Sequence, residues 1–513
     1  MSTHYDAIII GSGHNGLVAA CYLALSGKKV IILEKNDYIG GATTSIEAFK
    51  GVDARLSRYS YLVSLLPDQI IRDLSLNFTT ISRTVSSYTP YFDDEGDKGL
   101  LINRNFDEET KESLSLLTGN DEESLAWQNF YSSVLEFAQA VAPTMLQPLP
   151  TESEIQELVD PLTWIELVEN TLGQTLHDNF FDDLVKGVVL TDGLIGTFTG
   201  ANDHAANKCF LYHLIGNGTG EWKVPQGGMG ALVAELVRRC DELGVEIKTN
   251  VEVTSLQEEG SSILVTTQDQ VLRAKIALAN CSPQVLEKIS GIPAPKLRDG
   301  SQLKINMVLQ KLPELKSGID PRVAFAGTFH INESYFQLER AFEEARSGKI
   351  PTEIPSEMYC HTLTDPSILS PELNARGFHT LTLFALHTPA SLFDKDHDAV
   401  KEEVVKRILS GLNDYLVRPI SEYLALDEDG APCIEAKTPQ ELEQAIGLPR
   451  GNIFHGDLQF PWKVNGDPRK WGVETNSQRI LIAGSGAVRG GGVSGIAGHN
   501  AAMAALETLK NLP

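Results

Sequence analysis

The chain has 513 residues, enough for two or three domains, and 42% of them are hydrophobic, ample for a large buried core. Acidic residues outnumber basic ones 68 to 43, and the resulting net charge of −25 repels phosphate backbones and anionic lipid, which argues against a nucleic-acid partner. The six cysteines are scattered without a Cys-x-x-Cys pair, so neither a redox-active disulfide nor a thiolate zinc site is expected, and no His/Asp/Glu cluster has metal-ligand spacing.

Ala7 to Ile10 is a branched apolar run of strand length, and it breaks into Gly11-Ser12-Gly13-His14-Asn15-Gly16 before a helical stretch, Leu17 to Ser26. Strand, tight turn and helix are the setting that Gly-x-Gly-x-x-Gly requires. Gly11 permits the turn, Gly13 lets a pyrophosphate approach the backbone, and Gly16 lets helix and strand pack closely. His14 and Asn15 stand at the helix N-terminus, where unpaired N–H groups and the helix dipole favour phosphate. Val30 to Leu33 form the next strand, with Glu34 at its end, eighteen residues beyond Gly16. A carboxylate there accepts both hydroxyls of an adenosine ribose and repels a 2′-phosphate. This spacing fits NAD and FAD alike. Glu34-Lys35 then leads to Gly40-Gly41-Ala42-Thr43, a second glycine pair suited to wrap the pyrophosphate of an extended FAD.

A mostly helical region is predicted from about Asn105 to Leu190, punctuated by Pro143, Pro148, Pro150 and Pro161. The loop Trp222 to Gly230 opens a helix over Ala231 to Leu243, and strands follow at Val245–Thr249, Val251–Leu256, Ile263–Thr267 and Ala274–Ala279. This is a return to the nucleotide domain, with Val253 positioned to meet the adenine through its backbone. From about Ser282 to Ile446, strands such as Lys304–Leu312 and Thr380–Ala385 indicate a second, sheet-containing domain. Arg479–Ala483 is a buried strand ended by Gly484-Ser485-Gly486, and Gly490 to Gly495 leads into a final helix, Ile496–Leu509, aiming another helix N-terminus at the cofactor. No apolar run reaches membrane-spanning length and no targeting segment precedes the first strand. A cytoplasmic protein with at most peripheral membrane contact is expected.

The first glycine motif, the loop from Gly227, the segment Leu448 to Gly456 and the segment Gly484 to Ala502 together resemble the phytoene desaturase-like flavoproteins over nearly the whole chain, least from about Asp94 to Asp182. The resemblance implies FAD in an α/β fold similar to the amine oxidases. A Rossmann-like FAD-binding domain is expected from residues 1–60, 220–285 and 450–513. It is interleaved with a mixed-sheet and helical substrate domain from 61–219 and 286–449. By motif, Gly11, Gly13, Gly16, Glu34, Gly40, Gly41, Val253 and Gly484 are the expected FAD contacts, with Val493 and Ser494 near the flavin carbonyls. Relatives commonly carry His-Pro before the triple glycine where this chain has Val488-Arg489. Arg489 is therefore expected to stabilise a reduced anionic flavin or a substrate anion.

In a flavoprotein, hydride or electron transfer belongs to the isoalloxazine, so no catalytic triad is expected. Lys304 resembles in position the lysine that reaches the flavin N5 through a water in amine oxidases; the alternative is a solvated strand-edge lysine. His213 and His455 are the expected polar groups near the ring, Trp222 and Met229 the expected pocket lining, and Asp457 a lower-ranked acid–base group. The resemblance implies desaturation, dehydrogenation or isomerisation of a hydrophobic, isoprenoid-like substrate, with oxygen or a quinone as electron acceptor. Two other readings are oxidation of a C–N bond, as in amine oxidases, and a flavin-bearing interaction protein with little catalysis.

Overall fold

The branched run at the start of the chain forms the strand His4–Ile10 inside a seven-stranded sheet, in a computed structural model that describes residues 4–464 and 466–511. On one side it pairs in parallel with Val30–Leu33, which pairs with Glu246–Lys248. On the other it pairs in parallel with Val271–Ala279. That strand carries the antiparallel meander of Val253–Glu259 and Ser262–Thr267 along its first half and the parallel strand Ile480–Ile482 along its second. Both faces are covered. Ala7, Ile9, Ile32, Ile276 and Leu278 enter the core with residues of the helices His14–Leu25, Met229–Glu242 and Ile496–Asn511, while Ile8, Ile10, Ile31, Leu33 and Ala277 enter the opposite one. Strands buried on two faces read as unbroken apolar runs, which is why this sheet is visible in the sequence.

The second seven-stranded sheet runs in the order 434–437, 303–309, 379–385, 356–359, 328–331, 85–93, 96–103. It is antiparallel except where Thr328–Ile331 meets Val85–Asp93. Here side chains alternate. Ile305, Met307, Leu381, Leu383, Met358, Phe329 and Ile331 enter a core shared with Val404, Ile408 and Leu412 of the helix His397–Asn413. The other face is largely polar: register sets His330 beside Glu357, Glu357 beside Phe384 and Phe384 beside Lys304. Thr328, Tyr359, Thr382 and Asn306 form the neighbouring row. Helices between Glu108 and Ile215, among them Glu122–Val141, Asp183–Thr191 and His204–Ile215, send their apolar residues into the core that also packs one face of the first sheet.

Two expected strands differ at an end for identifiable reasons. The strand expected from Val251 starts at Val253, because the Val251 N–H already donates to the Glu34 carbonyl. The strand expected to reach Leu312 stops at Leu309, where the Gln310 N–H turns to the Tyr423 carbonyl. Cys21 and Cys240 face each other as buried thiols, Sγ to Sγ 3.5 Å, and all six cysteines are free. Among the described residues no helix is long and apolar enough to cross a membrane.

Candidate active site

The carboxyl ends of the parallel strands and the polar face of the second sheet line one cavity of about 930 Å³. The first sheet contributes Ile10, Leu33, Asn280 and Ser485, each at or just beyond a strand's end, which is where open α/β sheets bind ligands. The second contributes Thr328, His330, Glu357, Tyr359 and Phe384.

At the nucleotide end, Gly11, Gly13, His14, Asn15, Glu34, Lys35, Gly41, Ala42, Val253, Gly492 and Val493 all line the cavity. The Glu34 carboxylate orders the turn: Oε2 accepts from the Ser12 N–H and hydroxyl, both at 2.8 Å, and Oε1 accepts from the Asn36 N–H at 2.9 Å. Gly16 lies behind the lining, where a Cβ would sit 2.5 Å from the Gly11 carbonyl oxygen and 2.7 Å from Asn280 Nδ2. Asn280 in turn donates to the carbonyls of Gly11 and Gly13, at 3.1 and 3.3 Å, and so locks the turn. Gly40, at φ +117°, donates its N–H to Ser12, and Gly484 packs on the Asn280 carbonyl. Thr43 is buried beside His14, Oγ1 to Nδ1 2.8 Å. Ser494 accepts the Ile496 N–H at 3.2 Å and caps the last helix behind Val493.

Two buried polar atoms at the first helix's N-terminus, His14 Nε2 and Asn15 Oδ1, have no partner within the protein. Burial pushes the His14 ring down to about 4, so it is neutral near pH 7. Orphaned polar atoms, free helix N–H groups and side-chain-free glycines at one cavity end fit the pyrophosphate and ribose of FAD.

Both sequence-predicted histidines reach the cavity wall. His213 Nδ1 donates to the Asp192 carbonyl at 2.8 Å, which leaves Nε2 as the acceptor nitrogen, and its ring lies 5.1 Å from that of Trp222, also in the wall. His455 sits at φ +62° with Nδ1 buried and unpartnered. Burial pushes both down to about 4. The Asp192 side chain is also in the wall; burial, reinforced by Glu333 and opposed by His330 and Arg83, pushes it up to about 6. Burial likewise holds Glu357 well above the usual carboxylate range.

Four expectations need correction. Lys304 is no strand-edge lysine: it is 2% exposed in an interior strand, its Nζ donates to the carbonyls of Ser57 (2.7 Å) and Ser60 (3.3 Å), and it does not line the cavity. Burial holds its amine well below the usual lysine range. Arg489 does not face a flavin or a substrate anion. Its guanidinium is consumed by the carbonyls of Pro461, Thr144, Met145 and Gln147, tying the glycine-rich turn to the helical region, and burial pushes it down to about 9. Met229 is in the core rather than the lining, held there because its helix begins with its N–H on the Ser57 hydroxyl. Asp457 is half exposed and pairs with Arg298 at 2.9 Å.

Sequence reasoning missed Asn280, Arg83, Asp192, His330, Glu357 and Tyr359. Only Asn280 carried a signal, as the first polar residue after the apolar strand Val271–Ala279. The others are single polar residues with no motif around them.

The family model of NAD(P)-binding Rossmann-like domains matches residues 9–68, and that of flavin-containing amine oxidoreductases matches residues 71–422. An uncharacterised protein of Mycobacterium tuberculosis is 41% identical over 531 residues, covering 99% of each chain. Pyridine nucleotide-disulfide oxidoreductase domain-containing protein 2 of Mus musculus is 30% identical over 570 residues, covering 100% of this chain and 95% of that one. The solved structure of cyclohexylamine oxidase from Brevibacterium oxydans superposes with a TM-score of 0.54 at 16% identity over 99% of each chain, a likeness of fold. The glycine motifs, the cavity at the strand ends and these matches agree: the chain belongs to the flavin-containing amine oxidoreductases, oxidoreductases whose cofactor is FAD.

Proposed function

We propose that the protein dehydrogenates or desaturates a largely apolar substrate laid against FAD. The observation that carries this reading is the single cavity running from the dinucleotide cradle to the second sheet, walled on the way by Tyr61, Trp127, Tyr131, Leu135, Val188 and Ile195. Gly11, Gly13, His14 and Asn15 hold the pyrophosphate on the first helix's N-terminus, Glu34 accepts the ribose hydroxyls, and Lys35 and Val253 flank the adenosine. Gly492 and Val493 border the isoalloxazine, and Gly16, Gly40, Thr43, Gly484 and Ser494 shape the backbone behind.

FAD, when bound, supplies the hydride or electron acceptor. The chain's own residues exclude water with the aromatic wall and orient the substrate for transfer. His213 offers Nε2 as a hydrogen-bond acceptor, because Nδ1 is committed to the Asp192 carbonyl. Oxygen or a quinone would take the two electrons from the reduced cofactor and complete turnover.

The test is an anaerobic visible spectrum of the purified protein titrated with isoprenoid, amine and nicotinamide donors. Yellow protein that bleaches with an apolar, isoprenoid-like donor supports the reading. Bleaching by amines alone moves the reaction to a C–N bond, FAD-loaded protein that no donor bleaches points to an interaction protein, and protein that takes up no FAD defeats the proposal.

A further inference from the structure

The floor of the cavity carries a set of polar groups that flavin chemistry leaves unused. His330 and Glu357 are cross-strand neighbours, Thr328 and Tyr359 are the pair beside them, and Asp192 and Arg83 join them in the lining. Behind them Glu333, wholly buried, accepts from the Thr191 hydroxyl at 2.8 Å and lies 3.1 Å from His330 Nδ1. A hydrocarbon substrate would strip water from these groups and return nothing.

The unpartnered atoms show what is missing. His330, 5% exposed, makes no hydrogen bond through Nδ1 despite the nearby Glu333. Gln302 Nε2, in a side chain 6% exposed, and Trp222 Nε1 are orphaned donors in the same cavity wall. Arg83 makes one side-chain hydrogen bond, Nη1 to Thr328 Oγ1 at 3.3 Å, and otherwise faces the Tyr359 ring at 5.7 Å. Of the acceptor orphans in the wall, Asn15 Oδ1 lies at the nucleotide end and Glu221 Oε1 is 3.2 Å from Arg104 Nη1; Gln302 Nε2, Trp222 Nε1 and the remaining N–H groups of Arg83 can only donate, and for these the ligand must bring acceptors. Charge points the same way. Burial, with Glu333 and Asp192 nearby, holds Glu357 well above the usual carboxylate range against the Tyr359 hydroxyl and Arg83, which favours its carboxyl as a further donor. Each carboxyl group here has a basic side chain near it, Arg83 by Asp192 and His330 by Glu333, so the floor presents no isolated charge of one sign.

We propose that this floor binds an uncharged oxygen, a carbonyl or a hydroxyl, at one end of an otherwise apolar substrate, with Glu357, Arg83 and Gln302 as donors. The inference rests on the reading of this cavity as the substrate site. It makes Glu357 and Arg83 determinants of specificity, separate from the groups that hold FAD.

The experiment uses the FAD-loaded protein and four chain-matched probes: 2-undecanone, 1-undecanol, undecylammonium and undecanoate. Binding is read by calorimetry and by the shift of the flavin spectrum. The ketone or the alcohol is expected to bind about tenfold more tightly than either ion, and Arg83→Met to lose about tenfold for that probe. The ratio of ketone to alcohol says which oxygen is native. Affinity should fall as pH rises and Glu357 ionises; Glu357→Gln, which keeps a donor, removes that fall. Tightest binding of undecylammonium, weakened in Asp192→Asn, would reveal a cation site and overturn the proposal. Tightest binding of undecanoate would do so through an anion site on Arg83, and equal binding of all four would show that the floor recognises no head group. FAD-loaded protein that bleaches with a donor yet fails to discriminate the probes ends this inference alone. Protein that takes up no FAD but still selects the neutral probes in calorimetry ends the flavin reading alone.

Discussion

The two seven-stranded sheets face one cavity and use opposite means to hold what enters it. The first is apolar on both faces and reaches the cavity only at its strand ends, where it presents backbone N–H groups, glycines and one carboxylate. The second keeps one apolar face for its core and turns the other, with His330, Glu357, Tyr359 and Thr328, toward the cavity. Backbone recognition suits an invariant cofactor, because peptide groups cannot be exchanged by substitution. Side-chain recognition on a rigid strand suits a substrate, since each second residue can change without disturbing the core.

The contrast breaks most visibly at Gly16. A valine there places its Cβ within 2.5 Å of the Gly11 carbonyl oxygen and 2.7 Å of Asn280 Nδ2, both part of the phosphate turn, so relief requires the turn itself to move. Gly16→Val should cost on the order of 4 kcal/mol or more and yield protein without visible flavin absorbance. Substitutions on the floor of the second sheet should leave FAD content intact. A yellow Gly16→Val protein would show that this packing is not what holds the turn.

Arg489 sharpens the comparison because it belongs to neither mode. Its guanidinium satisfies carbonyls of Thr144, Met145, Gln147 and Pro461; in Arg489→Met the Pro461 and Gln147 carbonyls lose it, while Thr144 keeps the Gln147 N–H and Met145 keeps Asn500 Nδ2. A loss of about 3 kcal/mol is expected in denaturant unfolding, with the spectrum of the remaining bound flavin unchanged. A shifted flavin spectrum at unaltered stability would return Arg489 to the cofactor.

The same contrast explains what the amino-acid sequence discloses. Gly11, Gly13, Gly16 and Glu34 are legible because their conformations and spacing serve one purpose and lie in one stretch of chain. The cores of the long helices and of the parallel strands are legible through periodicity. Thr328–Ile331 and Ser356–Tyr359 pass unnoticed: four residues with alternating polar side chains resemble loop, and only the fold brings His330 to Glu357. Arg489 misleads for a related reason. Its neighbours in sequence are the glycines 490–492 at the cavity's edge, whereas its partners near Thr144 and Pro461 are distant in the chain.

The floor of the second sheet should also announce itself in the pH dependence of stability. Asp192 ionises near 3.8 in the unfolded chain and at about 6 in the folded one, so the folded state binds more protons between those values. Stability is therefore lost as pH rises from about 4 to about 6, with the full penalty present above pH 6. Two pKa units correspond to nearly 3 kcal/mol, with the pull of Arg83 and His330 already included, so Asp192→Asn is expected to gain about 3 kcal/mol at pH 7.5. The gain should vanish near pH 4. Equal gains at both pH values would mean that packing rather than charge separates the two proteins.

The smallest expected effect is at Glu34, and it tests how the first sheet recognises adenosine. Three of this carboxylate's acceptor positions serve the protein, through the Ser12 N–H, the Ser12 hydroxyl and the Asn36 N–H, and the residue lines the cavity. Glutamine keeps one oxygen, which can serve the turn or the ribose but not both. Glu34→Gln should weaken FAD binding about tenfold and barely change the affinity for FMN, which lacks the adenosine, when both are measured by flavin fluorescence. Equal losses for the two cofactors would place the effect in the Ser12 turn and so in the pyrophosphate cradle. The carboxylate would then act on the backbone, and the first sheet would hold its cofactor without side-chain recognition of the ribose.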